Sequence, residues 1–186
     1  MKRRLPLNLR LALLPLAVLI AGFCISAEEA APVEKAATEG YSCLLMGHSF
    51  FAPIARAFRE HPKRCGFEKH REAIVFHGGM DGSPGRLWKS DKEDVADAKE
   101  LLATGTVDVV GLTFFPDVGS EVEDYQKWID LALKHNPDTR FFIVAPWGRY
   151  LDRTFEEYEE VTNRWHGEVH ERIEALRKAY PDTTIR

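Results

Sequence analysis

The sequence predicts an α/β domain, a three-layer α/β/α sandwich around a parallel, flavodoxin-like sheet. Three observations carry that expectation. From Tyr41 onward, short apolar runs alternate with amphipathic segments of helical period, the pattern of strands joined by right-handed helical crossovers. No internal repeat interrupts the alternation. The chain is also the right length for one domain with a full core.

Taken in order, Ser42–Met46 is a strand, and Phe50–Glu60 reads as a helix with Phe51, Ile54, Ala55 and Phe58 on one face. Ala73–Phe76 is the second strand, followed by a glycine-rich loop, His77-Gly-Gly-Met-Asp-Gly-Ser-Pro-Gly85. Ser90-Asp-Lys-Glu93 has the spacing of a capping box and opens a helix through Leu102, which Gly105 stops. Val107–Phe114 is the third strand, and a second capping box, Ser120-Glu-Val-Glu123, opens the helix bearing Tyr125, Trp128, Ile129 and Ala132. Phe141–Ala145 is the fourth strand, ended by Pro146. Phe155 to Tyr180 forms one long helix whose apolar stripe runs through Phe155, Tyr158, Val161, Trp165, Val169, Ile173, Leu176 and Tyr180. Thr183–Ile185 reads as the start of a fifth strand, so the pattern predicts a sheet whose last strand and helix are cut short.

The amino terminus predicts export. Basic Lys2, Arg3 and Arg4 precede an apolar run from Leu11 to Phe23 and a small-residue site at Ile25-Ser26-Ala27, the layout of a cleaved secretory leader over residues 1–27 rather than a membrane span. Cys24 follows the bulky Phe23 where a lipoprotein site wants a small residue, so ordinary cleavage near Ala27 is expected. Residues 28–40, rich in Ala and Glu, read as a linker, and 41–186 as the domain, in a periplasmic or extracellular setting. Removing the leader's four basic residues takes the formal net charge from −4 to −8. So acidic a domain is a poor match for nucleic acid, and no membrane contact is expected beyond the leader. Export permits a Cys43–Cys65 disulfide, though Cys43 inside an apolar strand is better suited to a buried free thiol.

The chemistry-bearing stretch is Tyr41-Ser-Cys-Leu-Leu-Met-Gly47-His48-Ser49-Phe50-Phe51. A strand that turns sharply into a helix holds Ser49 at the carboxyl edge of the sheet, where ligands of open α/β sheets bind. The helix start also favours an oxyanion. Ser49 is therefore either a nucleophile or a helix cap. The same edge gathers the Gly78-Gly79 loop and Gly111-Leu112-Thr113-Phe114, with Pro116-Asp117 just beyond. Glycine N–H groups and the Thr113 hydroxyl are candidate oxyanion donors. Asp117 is either a turn residue or an acid contacting substrate.

Gly47-His48-Ser49-Phe50 resembles the first block of the SGNH (GDSL-like) hydrolases, whose Gly-Asp-Ser follows the first strand. Gly79 fits that family's second-block glycine, and Gly111-Leu112-Thr113-Phe114 falls at its Gly-x-Asn-Asp block. The resemblance spans Tyr41 to about Tyr180. It implies an ester hydrolase without cofactor or metal, acting on a small or carbohydrate-linked acyl ester. Ser49 is then the nucleophile, and the N–H groups of Ser49 and Gly79 with Thr113 Oγ1 hold the oxyanion. This sequence has His48 and Thr113 where the family has aspartate and asparagine, and Phe114 at the next aspartate. Its Asp-x-x-His block, source of the catalytic base, does not occur in the sequence. The resemblance thus implies a base from a segment outside it, or a non-catalytic domain that binds a ligand in the same pocket.

Other histidines offer alternatives. His48 adjoins Ser49, but adjacent side chains rarely face each other; His77 ends the second strand and could reach the pocket. His166 and His170 lie one helical turn apart, a metal-gripping spacing, but no third ligand is evident. Trp88, Trp128 and Trp165 are expected to pack, whereas Trp147, just past the fourth strand, could line the pocket mouth.

Overall fold

The computed structural model describes residues 39–147 and 154–186. The predicted leader, Cys24 and nearly all of the linker lie outside the described residues. Four strands, β1 (Ser42–Gly47), β2 (Arg71–Phe76), β3 (Val109–Thr113) and β4 (Arg140–Val144), form one parallel sheet in the order β2-β1-β3-β4. Ile185 adds a parallel bridge to Phe141 on the outer side of β4, with Arg186 N–H donating to Phe141 O at 3.0 Å. Strand order and direction make this an α/β, flavodoxin-like fold.

The strands alternate as a sheet covered on both faces requires. Leu44 and Met46 of β1, Val110 and Leu112 of β3, and Phe141 of β4 join the larger core. It is completed by α3 (Glu93–Ala103), α4 (Val122–His135) and the carboxyl half of α5 (Phe155–Ala179). Trp128 of α4 is fully buried there, and its Nε1 donates to Pro84 O at 3.0 Å. Cys43 and Leu45 point the other way, against Phe51 and Ala55 at α1 (Ala52–Arg64).

Local differences from the sequence reading have simple causes. The first helix starts at Ala52, and Phe51, placed before it, wedges edge-on between Phe76 and Phe142. α1 therefore meets the sheet along Phe51 and Ala55, leaving Ile54 and Phe58 exposed at 38% and 42%. Neither predicted capping box forms where expected, because each serine has another task. Ser90 Oγ accepts from Lys92 N–H before α3 begins, and Ser120 Oγ accepts from Phe115 N–H at 2.9 Å. The box of α4 is instead built by Glu121 and Asp124, one residue later. That of α5 is Thr154 with Glu157. The glycine-rich loop holds a single 3₁₀ turn, Gly79–Gly82, and a short helix, α2 (Pro84–Trp88). Cys43 and Cys65 do not pair. Cys43 is buried in β1, where loss of solvation, with Asp108 and Glu72 nearby, pushes its thiol up to about 12. Among the described residues no helix is long and apolar enough to cross a membrane.

Candidate functional site

The carboxyl ends of all four strands meet around a cavity of about 400 Å³. It opens where the strand order reverses, between β1 and β3, the position at which open α/β sheets bind ligands. β1 contributes His48, Ser49 and Phe50; β2, Gly79; β3, Phe115, Pro116 and Asp117; β4, Pro146. Trp165 closes it from α5. The walls are mainly aromatic and proline carbon, with few polar groups, as small-molecule sites usually are.

Ser49 is exposed in the turn between β1 and α1. The turn is closed by His48 O, which accepts from Phe51 N–H at 3.0 Å and Ala52 N–H at 3.2 Å. The amino-terminal cap of α1 is Phe51, and no side chain caps it. Ser49 is thus not the cap of α1, and its hydroxyl has no partner among the described residues. Gly79 begins the 3₁₀ turn at φ +55, a backbone conformation that side chains resist. Its N–H, like that of Ser49, is unengaged among the described residues. The loop closes onto the β1 turn through Gly82, where a Cβ would fall 2.5 Å from Gly47 O.

Thr113 stands behind this wall rather than in it. It is buried, and Oγ1 donates to Gly82 O at 3.4 Å, holding the loop against β3. Asp117 lines the cavity and also makes the turn after Pro116, adopting φ +66, the only positive φ outside glycine among the described residues. The turn reading of Asp117 holds, and the turn places the residue on the cavity wall. Strained backbone of this kind gathers at functional sites.

His48 lines the cavity but is fully engaged. Its Nε2 donates to Phe114 O at 2.9 Å, and its Nδ1 faces Phe50 N–H at 3.4 Å. Phe50 and Phe115 meet its ring edge-on at 5.6 and 5.3 Å. Burial holds its pKa below the ordinary 6.5, opposed in part by the Phe114 carbonyl. It is a neutral peg joining the ends of β1 and β3. His77 lines a different cavity, on the far side of the glycine loop, where Nε2 donates to the Asp94 carboxylate at 3.2 Å. His166 and His170 are exposed on α5, and among the described residues no group of three or more His, Cys, Asp or Glu could hold a metal ion.

Two aromatic contributions differ from the sequence reading. Trp165, expected only to pack, lines the cavity, and its Nε1 is buried without a partner among the described residues. Trp147 is 47% exposed and stacks edge-on against Phe50 at 4.9 Å, so it supports the wall from outside. Phe115 and Pro146 were detectable as residues just past strand ends. Trp165, in mid-helix, carried no such signal. No protein-family model matches this chain, and no curated protein matches its sequence.

Proposed function

We propose that this domain is an exported serine ester hydrolase acting on a small or carbohydrate-linked acyl ester. The observation that carries the reading is an exposed, unpartnered Ser49 hydroxyl in an apolar cavity that Gly79 also lines, with the N–H groups of both residues unengaged among the described residues. Ser49 Oγ attacks the acyl carbon, the carbonyl electron pair moves onto oxygen, and the two N–H groups hold that oxyanion. Collapse expels the alcohol, and water then releases the acid from the acyl-enzyme. Phe50, Phe115, Pro116 and Pro146 form the acyl wall, and Trp165 Nε1–H is a donor for an oxygen of the ligand.

The proton leaving Ser49 needs an acceptor. Of the two titratable groups lining the cavity, His48 is already hydrogen-bonded through Nε2, which leaves Asp117. A carboxylate is a weak base toward a hydroxyl, so slow turnover is expected from the described residues alone. That same engagement of His48 favours a second reading, a non-catalytic domain that binds an acyl ester without cleaving it. The test is labelling of the full-length chain by a fluorophosphonate. The parent is expected to label and Ser49→Ala to lose the label; equal labelling of both refutes the proposal. An unlabelled parent that still binds an acyl ester favours the second reading.

A further inference from the structure

On the other side of the His77–Ser83 loop lies a second cavity of about 260 Å³ with opposite chemistry. Arg86, Lys89 and Lys92 line it, together with Ser90, Asp81 and the buried His77. The three cations recur every third residue: Arg86 lies in α2, Lys89 caps its carboxyl end and Lys92 immediately precedes α3. None of the three side chains has an ion-pair or hydrogen-bond partner among the described residues.

In an acidic chain that is unexpected. Acids outnumber basic residues 29 to 25, and neighbouring charges do find partners. Lys99 Nζ donates to Trp88 O at 2.8 Å and lies over the Trp88 ring, and Asp94 is taken by His77. The cations at the cavity repel one another with one lining carboxylate, Asp81, to offset them. The backbone beneath them is held firmly: Gly85 N–H donates to Gly119 O at 2.8 Å, and Pro84 O accepts from Trp128. Ser90 Oγ accepts from Lys92 N–H, which leaves its own proton free to donate.

We propose that this cavity binds a tetrahedral oxyanion, a phosphate or sulfate group, with Arg86 as the planar two-pronged donor and Lys89 and Lys92 as point charges. The group is either a free ion or part of a larger ligand, and the test separates the two. Inorganic phosphate is titrated into the isotope-labelled full-length chain, with chloride at matched ionic strength as control because exposed charges are screened by salt. The Ser90 and Lys92 amide signals are expected to shift and saturate with phosphate and not with chloride. The triple variant Arg86→Ala/Lys89→Ala/Lys92→Ala is expected to weaken binding about tenfold or more. All three side chains are exposed, and an unchanged melting temperature establishes that the variant folds.

Shifts in the parent that do not saturate, equal shifts with chloride, or undiminished binding by the triple variant overturn the proposal. Tighter binding of a sugar phosphate than of phosphate, with the unphosphorylated sugar silent, identifies a phosphorylated ligand; equal binding identifies the free ion. Ser49→Ala is expected to bind phosphate like the parent, so a failure here and a failure of the serine reading remain separate results.

Discussion

Two histidines end adjacent strands and lead different lives. Gly47 of β1 pairs in register with Phe76 of β2, so His48 and His77 are the next residues on neighbouring strands, and both are buried. His77 N–H even donates to Gly47 O at 3.1 Å. His48 is held by backbone groups and aromatic edges within an apolar cavity. His77 lines a cationic one and reaches a half-exposed carboxylate. Position along the strand does not decide what a histidine does; the partner presented by the next element does. One thin loop between them separates a cavity suited to carbon from one suited to an anion.

The largest effect that tests this contrast is His48→Ala. It leaves the buried Phe114 carbonyl without its donor and opens a void among Phe50 and Phe115. A loss of about 2–4 kcal/mol in urea unfolding is expected. The acid side of the stability curve adds a second readout. Burial depresses the folded pKa of His48 below 6.5, so the unfolded chain takes the proton first. Stability from this residue is complete above that value and declines as pH falls from it toward the folded pKa. Replacing His48 should flatten that part of the curve; an unchanged slope would assign it to another group.

A smaller effect is expected at Asp117, whose positive φ disfavours any side chain. Asp117→Gly should raise stability by about 0.5–1 kcal/mol, read as a higher urea midpoint. If its carboxylate takes the Ser49 proton, fluorophosphonate labelling slows in the same variant. Gain in stability with unchanged labelling would leave Asp117 as a turn residue alone.

The smallest effect is Asp94→Asn. This partner of His77 is 47% exposed in its side chain, and such pairs contribute under about 1 kcal/mol. A loss comparable to that of His48→Ala would erase the contrast between the two histidines.

Much of this arrangement could be read along the chain. The positions of Ser49, Gly79 and Asp117 at strand ends follow from apolar runs broken by glycine and proline, because parallel strands deliver their following loops to one edge. Thr113 shows the limit. It ends β3 as expected, yet its hydroxyl is turned to Gly82 O under the glycine loop. Trp165 shows the converse. Its spacing belongs to the stripe of α5, and only the placement of that helix over the sheet edge brings its indole to the cavity. The serines at 90 and 120 carried a correct local signal for a helix start, but tertiary or neighbouring partners claimed their hydroxyls first.

By itself, then, the sequence determined the parallel α/β architecture and the sheet edge at which Ser49, Gly79 and Asp117 gather, because periodicity and helix-starting residues act over a few neighbours. Which hydroxyl stays free and which histidine is spent were decided only by tertiary structure. Those outcomes depend on groups 17 to 66 residues apart, as in His77 with Asp94 and His48 with Phe114. Hydrogen-bond and charge partners at that separation are set by how the layers pack, and no local pattern encodes them.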